Sequence, residues 1–183
     1  MKQPSDEELM LAFAKDDVQA FEQLYSRYKD ALYRYFLRHV SNEAICQELF
    51  QDLWLKIINS KDNYTNVAKF KTWLYTLAHN RLVDWYRRNS LEINAFEATT
   101  DDIVDGSINW RPEDELQTKR LGKGLKQAIA KLPFNQREVF LLHQEALLTL
   151  PQIAEMLQEG IEKIKSRYRY AINKLRLNLE NLK

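Results

Sequence analysis

The chain of 183 residues carries 27 Lys and Arg against 26 Asp and Glu, with apolar residues at 45% and aromatics at 11%. This composition suits a packed core and excludes wholesale disorder, while only four Gly and four Pro argue against a many-stranded, turn-rich fold and for helices. A single Cys46 excludes an internal disulfide, no Cys/His cluster has zinc-ligand spacing, and no signal-type run or membrane-length apolar stretch occurs, so the expectation is a soluble cytoplasmic protein.

Ser5-Asp6-Glu7-Glu8 has the form of a capping box and predicts a short helix over residues 6–15. Asp16 or Asp17 can cap a second helix, whose Phe21, Leu24, Tyr25, Tyr28, Leu32, Tyr35 and Phe36 recur at steps of three and four. Ser41 can cap a third, with Ile45, Leu49, Leu53 and Ile57 on one face. Polar residues 59–66 break the pattern, and a fourth helix runs from about residue 68 to 88 with Phe70, Trp73, Leu74, Leu77 and Trp85. Four apolar-faced helices can close one small bundle. Periodicity fades from residue 89 to 112, which reads as a linker, and resumes with Leu121, Leu125, Ile129 and Leu132 up to Pro133. Thr149 can cap the helix that carries Pro151 in its first turn. Gly160 then supplies a break before a last helix from residue 161 to 182.

The near-neutral total hides uneven charge. Residues 61–88 hold six basic side chains against Asp62 and Asp84, and residues 160–183 hold seven against Glu162 and Glu180. Between them, residues 89–118 hold Arg111 against eight carboxylates. Two basic blocks joined by an acidic linker fit two polyanion-binding surfaces, although a charge run is also an ordinary solvated helix face.

At 100° per residue, Ile161, Ile164, Tyr168, Ala171, Ile172, Leu175, Leu179 and Leu182 form one stripe of the last helix. Lys163, Ser166, Tyr170, Asn173 and Lys174 lie opposite, with Lys165, Arg169 and Arg176 on one shoulder and Arg167 on the other. Polar tips flanked by cations suit base edges flanked by phosphates, and a short helix, a turn and a longer basic helix have helix-turn-helix form. An amphipathic surface helix or a coiled-coil strand has the same pattern. On the fourth helix, cations alternate with rings (Lys69, Phe70, Lys71, Trp73, Trp85, Tyr86, Arg87, Arg88), as single-stranded DNA requires for stacking and backbone contact. Core packing is the preferred role for at least two of Phe70, Trp73 and Trp85, and Asn80 is a candidate to bond a flipped base, although a lone helical Asn is more often solvated.

Together these residues resemble the sigma factors of bacterial RNA polymerase, of the small extracytoplasmic-function (ECF) type. The likeness rests first on Glu43-Ala-Ile-Cys-Gln47-Glu48-Leu-Phe50-Gln-Asp-Leu-Trp54, on Phe70-Lys-Thr-Trp73-Leu, and on Ala78-His-Asn80-Arg-Leu-Val-Asp84-Trp-Tyr-Arg87-Arg88. It continues in Leu132-Pro133, Gln136-Arg137-Glu138-Val-Phe140, Ile153-Ala154-Glu155 and Lys165-Ser166-Arg167. The resemblance implies an all-α protein: residues 1–90 as region 2, an acidic linker over 91–117, and residues 118–183 as region 4. It implies that Gln47, Glu48, Phe50 and Trp54 meet the polymerase clamp. Residues 63–69, with Asn63 and Lys69, and the helix carrying Lys71 and Asn80 would read and trap −10 bases on the non-template single strand. Arg81, Arg87 and Arg88 would hold phosphates, and Lys163, Lys165, Ser166, Arg167, Arg169, Tyr170 and Lys174 would face the −35 element. Expected partners are core polymerase through clamp and flap, promoter DNA, and an anti-sigma or other targeting protein, with no cofactor, metal, membrane insertion or catalysis. The rival readings are a stand-alone helix-turn-helix regulator with a sensing or dimerising bundle, and a hydrolase with a metal on Glu48 and Asp52. Ala44 replaces a usual acidic residue, Glu162-Lys163-Ile164 a usual Gly-Thr-Val, and Tyr170 a usual Arg.

Overall fold

The computed structural model describes residues 3–89 and 115–180. Its helices are α1 (Asp6–Ala14), α2 (Val18–Val40), α3 (Glu43–Asn59), a 3-10 turn (Lys61–Asn63) and α4 (Phe70–Arg88), followed by α5 (Glu115–Ala130), α6 (Phe134–Gln144), α7 (Leu150–Leu157) and α8 (Ile161–Glu180). Most of the expected linker lies outside the described residues, and α5 begins at Glu115, inside the stretch read as linker.

The starts follow local chemistry. The Glu8 N–H donates to Ser5 Oγ at 3.2 Å and the Ser5 N–H to Glu8 Oε2 at 2.7 Å, closing the capping box. Asp17, rather than Asp16, takes the Gln19 and Ala20 N–H groups at the head of α2. At the next junction the expected Ser41 cap gives way to Asn42, whose Oδ1 accepts from the Ile45 N–H at 3.1 Å. Ser41 still belongs to the helix before it: its N–H bonds the Leu37 carbonyl and its φ of 52° reverses the chain. Thr149 and Gln152 form a second capping box, with Pro151 in the first turn. Between α7 and α8 the left-handed residue is Gln158 (φ 54°), not Gly160. Gly160 instead offers its carbonyl to the first helical N–H groups of α8, from Lys163 and Ile164.

α1–α4 close around Leu24, Leu32, Phe36, Leu49, Leu53, Ile57, Leu74 and Leu82, all withdrawn from solvent. Phe70 is core, whereas Trp73 and Trp85 are half-buried. In the second half, Ile164, Ala171 and Leu175 of the predicted α8 stripe are buried against a core that includes Val139, Leu142 and Ile153, and Leu182 lies outside the described residues. The halves also pack on each other. Glu138 on α6, 2% exposed, receives the Tyr35 hydroxyl at 2.8 Å and the His79 Nδ1 at 2.8 Å, and His39 Nε2 stands 2.8 Å from its other oxygen. Arg137 donates to the His39 carbonyl at 2.9 Å, and Arg34 and Arg38 both reach Glu145 at 2.9 Å. Phe134 packs its ring on His39 and Tyr86.

Candidate nucleic-acid and polymerase interfaces

The α3 residues separate by depth. Gln47 and Glu48 are exposed and Phe50 is half-buried against Tyr25 and Tyr33. Trp54 is only 5% exposed, with its ring 4.8 Å from Tyr25 and 5.7 Å from Phe21. Trp54 therefore supports the patch from beneath. Two apolar side chains absent from the sequence reading stand on the outer face of the same helix, Leu55 and Ile58. Their signal was present, since they continue the Gln47–Gln51 row at helical steps while the buried row is Leu49, Leu53 and Ile57.

α4 carries its candidates in two groups. Asn63, Lys69 and Lys71 cluster about its amino end; Asn80 and Arg81 sit about 15 Å further along, at ~1.5 Å per residue. Asn80 lines an open cleft of about 400 Å³ between α3 and α4, with Asp52, Leu55, Arg81 and Asp84. Arg81 is already engaged. Its Nε donates to Asp52 at 2.9 Å, a second guanidinium nitrogen bonds the same carboxylate oxygen, and Glu48 is 3.6 Å away. The carboxylates weighed as metal ligands thus hold an arginine. Arg87 and Arg88 stay exposed at the carboxyl end, where they also complement the helix dipole.

On α8, Lys163, Lys165, Arg169, Tyr170, Asn173 and Lys174 are exposed, and Ser166 and Arg167 are half-buried. Its leading cations face carboxylates of their own chain. Glu159 in the turn lies 3.0 Å from Lys163 and 2.8 Å from Arg167, and Glu162 lies 2.7 Å from Lys165. Burial would raise the Glu159 carboxyl, and the hydrogen bonds and charges of Lys163 and Arg167 outweigh it, so it is held low. Arg169 instead lies over the Tyr170 ring at 5.7 Å. The net cationic surface is thereby shifted from the first turn of α8 toward Arg169 and Lys174.

A helical bundle with a mixed basic and aromatic helix, coupled to a helix-turn-helix, defines a DNA-binding protein of the sigma-70 type. Residues 24–92 match the model of Sigma-70 region 2 and residues 128–177 that of Sigma-70, region 4. The chain is 30% identical over 173 residues to the ECF RNA polymerase sigma factor SigK of Mycobacterium sp. (strain KMS), covering 92% of this chain and 87% of that protein. It is 28% identical over 177 residues to the ECF RNA polymerase sigma factor SigW of Bacillus subtilis (strain 168), covering 92% and 93%. In fold it resembles CnrH, solved with the cytosolic domain of CnrY (TM-score 0.70, 21% identity, 97% and 99% covered). It likewise resembles RpoE of Bartonella quintana, solved with the anti-sigma factor NepR (TM-score 0.70, 23% identity, 87% and 96% covered). The chain belongs to the ECF sigma factors of bacterial RNA polymerase. It is accordingly a transcription initiation factor that binds core polymerase and recognises promoters, not an enzyme, and the stand-alone regulator reading is not favoured. Among the described residues, no helix is long and apolar enough to cross a membrane.

Proposed function

We propose that residues 1–90 bind the polymerase clamp and open the −10 element, while residues 118–183 meet the flap and the −35 element, with residues 91–117 as the connection. The observation that carries this reading is the α4 surface: exposed Asn80 in a cleft of mixed leucine and charged lining, exposed Arg87 and Arg88 beyond it, and Lys69 with residues 63–69 at the opposite end. Such a surface tracks a single strand, with cations along the backbone and, beside Asn80, a cleft whose leucines can cover the face of an unstacked base while its polar groups meet the edge. The outer face of α3, with Gln47 and Glu48 beside Phe50, Leu55 and Ile58, is a polar-rimmed apolar patch suited to a protein partner. An anti-sigma protein is the proposed restraining partner, by likeness to the fold solved with NepR, and the cytoplasm the proposed location.

The test compares Asn80→Ala holoenzyme on duplex and pre-melted promoters. Loss concentrated on the duplex is expected, because trapping a flipped base offsets broken pairing only where pairing must be broken. Equal loss on both templates would make Asn80 a structural residue.

A further inference from the structure

α4 begins badly by its own sequence. Its N-cap is Lys69, which provides no side-chain cap, and its first turn holds no acidic residue. Lys69 and Lys71 oppose the positive end of the helix dipole, and the N–H groups of the first turn lack intrahelical partners. The missing acceptor comes from another helix: Glu7 Oε1 takes the Phe70 N–H at 2.9 Å, across 63 residues of sequence.

Glu7 is itself firmly placed. Its neighbour Asp6 pairs with Arg27 at 2.6 Å and bonds the Tyr28 hydroxyl, while Leu9, Met10 and Phe13 bury the inner face of α1. The loop it meets is sparsely held. Tyr64 is buried on Phe70 and Trp73, but beyond it the loop's backbone bonding is one local contact, Val67 N–H to the Thr65 carbonyl, and one at its end, where the Lys69 carbonyl accepts the Trp73 N–H at 3.1 Å. Val67 is 91% exposed, and Asn66 to Lys69 form one wall of an open cleft of about 500 Å³ whose other wall includes Glu7 and Leu11. The path of residues 65–69 is therefore fixed at one end by the Tyr64 ring and at the other by the start of α4, where the Lys69 carbonyl is held by Trp73 and the side-chain anchor from outside the helix is the Glu7–Phe70 bond.

We propose that Glu7 is a positioning residue for promoter reading: by capping α4 from α1 it sets the conformation of residues 65–69 and so the base preference of the −10 contact. This rests on the proposed assignment of residues 63–69 to the −10 strand. Glu7 touches no base; it acts through the loop.

The test uses the full-length factor bound to core polymerase, with fluorescent non-template oligonucleotides randomised at the −10 positions. Glu7→Ala should narrow the spread of affinities across the oligonucleotides about fivefold, the size of a lost N-cap, with core affinity unchanged. Glu7→Gln, whose amide oxygen can still accept from Phe70, should restore most of it. Hydrogen exchange of the Phe70 amide in the free factor provides a measurement independent of DNA, and about fivefold acceleration in Glu7→Ala is expected even where that variant is less stable overall. Unchanged Phe70 exchange would overturn the proposal, as would an unaltered preference profile in Glu7→Ala. Uniformly tighter binding of every oligonucleotide would also overturn it, marking Glu7 as a competitor of phosphate. Asn63→Ala and Lys69→Ala separate the two levels. If neither alters preference, the loop assignment fails and this role with it; if both do while Glu7→Ala does not, the role alone fails.

Discussion

Glu138 is the most constrained carboxylate among the described residues, set between Tyr35, His39 and His79 with Arg137 beside it in sequence. Burial alone would raise it, but the charges and hydrogen bonds of His39 and His79 prevail and hold it at about 2, against an ordinary 4.5. Burial lowers His39, against the pull of Glu138. Both folded values lie below their unfolded ones, so both groups contribute stability that is fully present above the unfolded value and lost as pH falls. His39 acts first, below about 6.5, and Glu138 next, between 4.5 and about 2. Thermal melting of the full chain should therefore fall steadily from pH 7 to pH 4. Glu138→Gln should melt lower at pH 7, since an amide cannot accept at both of its terminal atoms and leaves a buried polar contact unmade at about 1–3 kcal/mol, and below pH 4.5 it should lose less stability than the wild type, because its side chain does not titrate. A variant as pH-sensitive as the wild type would place the acid dependence elsewhere. On α3, Gln47→Ala with Glu48→Lys should weaken co-purification with core polymerase while leaving melting within a few degrees, because both side chains are exposed.

Element by element, the sequence disclosed what repeats locally. The α8 stripe over its described residues, the Ser5 capping box, the Thr149 cap and the buried row of α3 are all periodic or nearest-neighbour signals, and each stands in the structure. What it concealed is set by contacts between distant residues. Nothing near Lys69 indicates that Glu7 caps α4, nothing near Arg81 that Asp52 already holds it, and nothing in a basic helix that Glu159 occupies two of its cations. Gln158 in a left-handed turn escaped for a different reason, as the neighbouring Gly160 offered a more permissive residue that the turn did not use. The Glu159 contacts lead to a measurable outcome for α8. Glu159→Gln in the full chain should tighten binding to random duplex and steepen the salt dependence by about one to two released counterions, at ~0.9 per phosphate contact. Selection from randomised duplex should yield little enrichment with the native chain if Arg169 and Lys174 mainly contact phosphate, since such contacts position rather than specify. A single sharply enriched motif would instead show that Ser166, Tyr170 and Asn173 read bases.

At the scale of the molecule, the packing of the two halves and the proposed task of each are in geometric conflict. By their names the −10 and −35 elements lie about 25 base pairs apart, about 85 Å at ~3.4 Å per pair, whereas the longest helix of each half, 23 residues in α2 and 20 in α8, would span only about 65 Å even laid end to end at ~1.5 Å per residue. Halves joined through Glu138 and its partners cannot reach both elements, so engagement of both requires the Tyr35, His39, His79 and Phe134 contacts to part. Parting exposes His39, Glu138 and the rings around Phe134, and the closed form is favoured by the free energy of burying them. Glu138→Ala removes the central acceptor and leaves Tyr35 and His39 without a partner in the closed form. The free variant should therefore show a larger radius of gyration in small-angle scattering, at a salt concentration where the wild type stays compact. The Arg34 and Arg38 pairs with Glu145 are partly exposed and should respond to salt, so the wild type should itself expand as salt rises, but less than the variant. If Glu138→Ala scatters identically to the wild type while its core remains folded, the buried carboxylate is not what holds the halves together, and the apolar contact of Phe134 with Tyr86 becomes the site to change next.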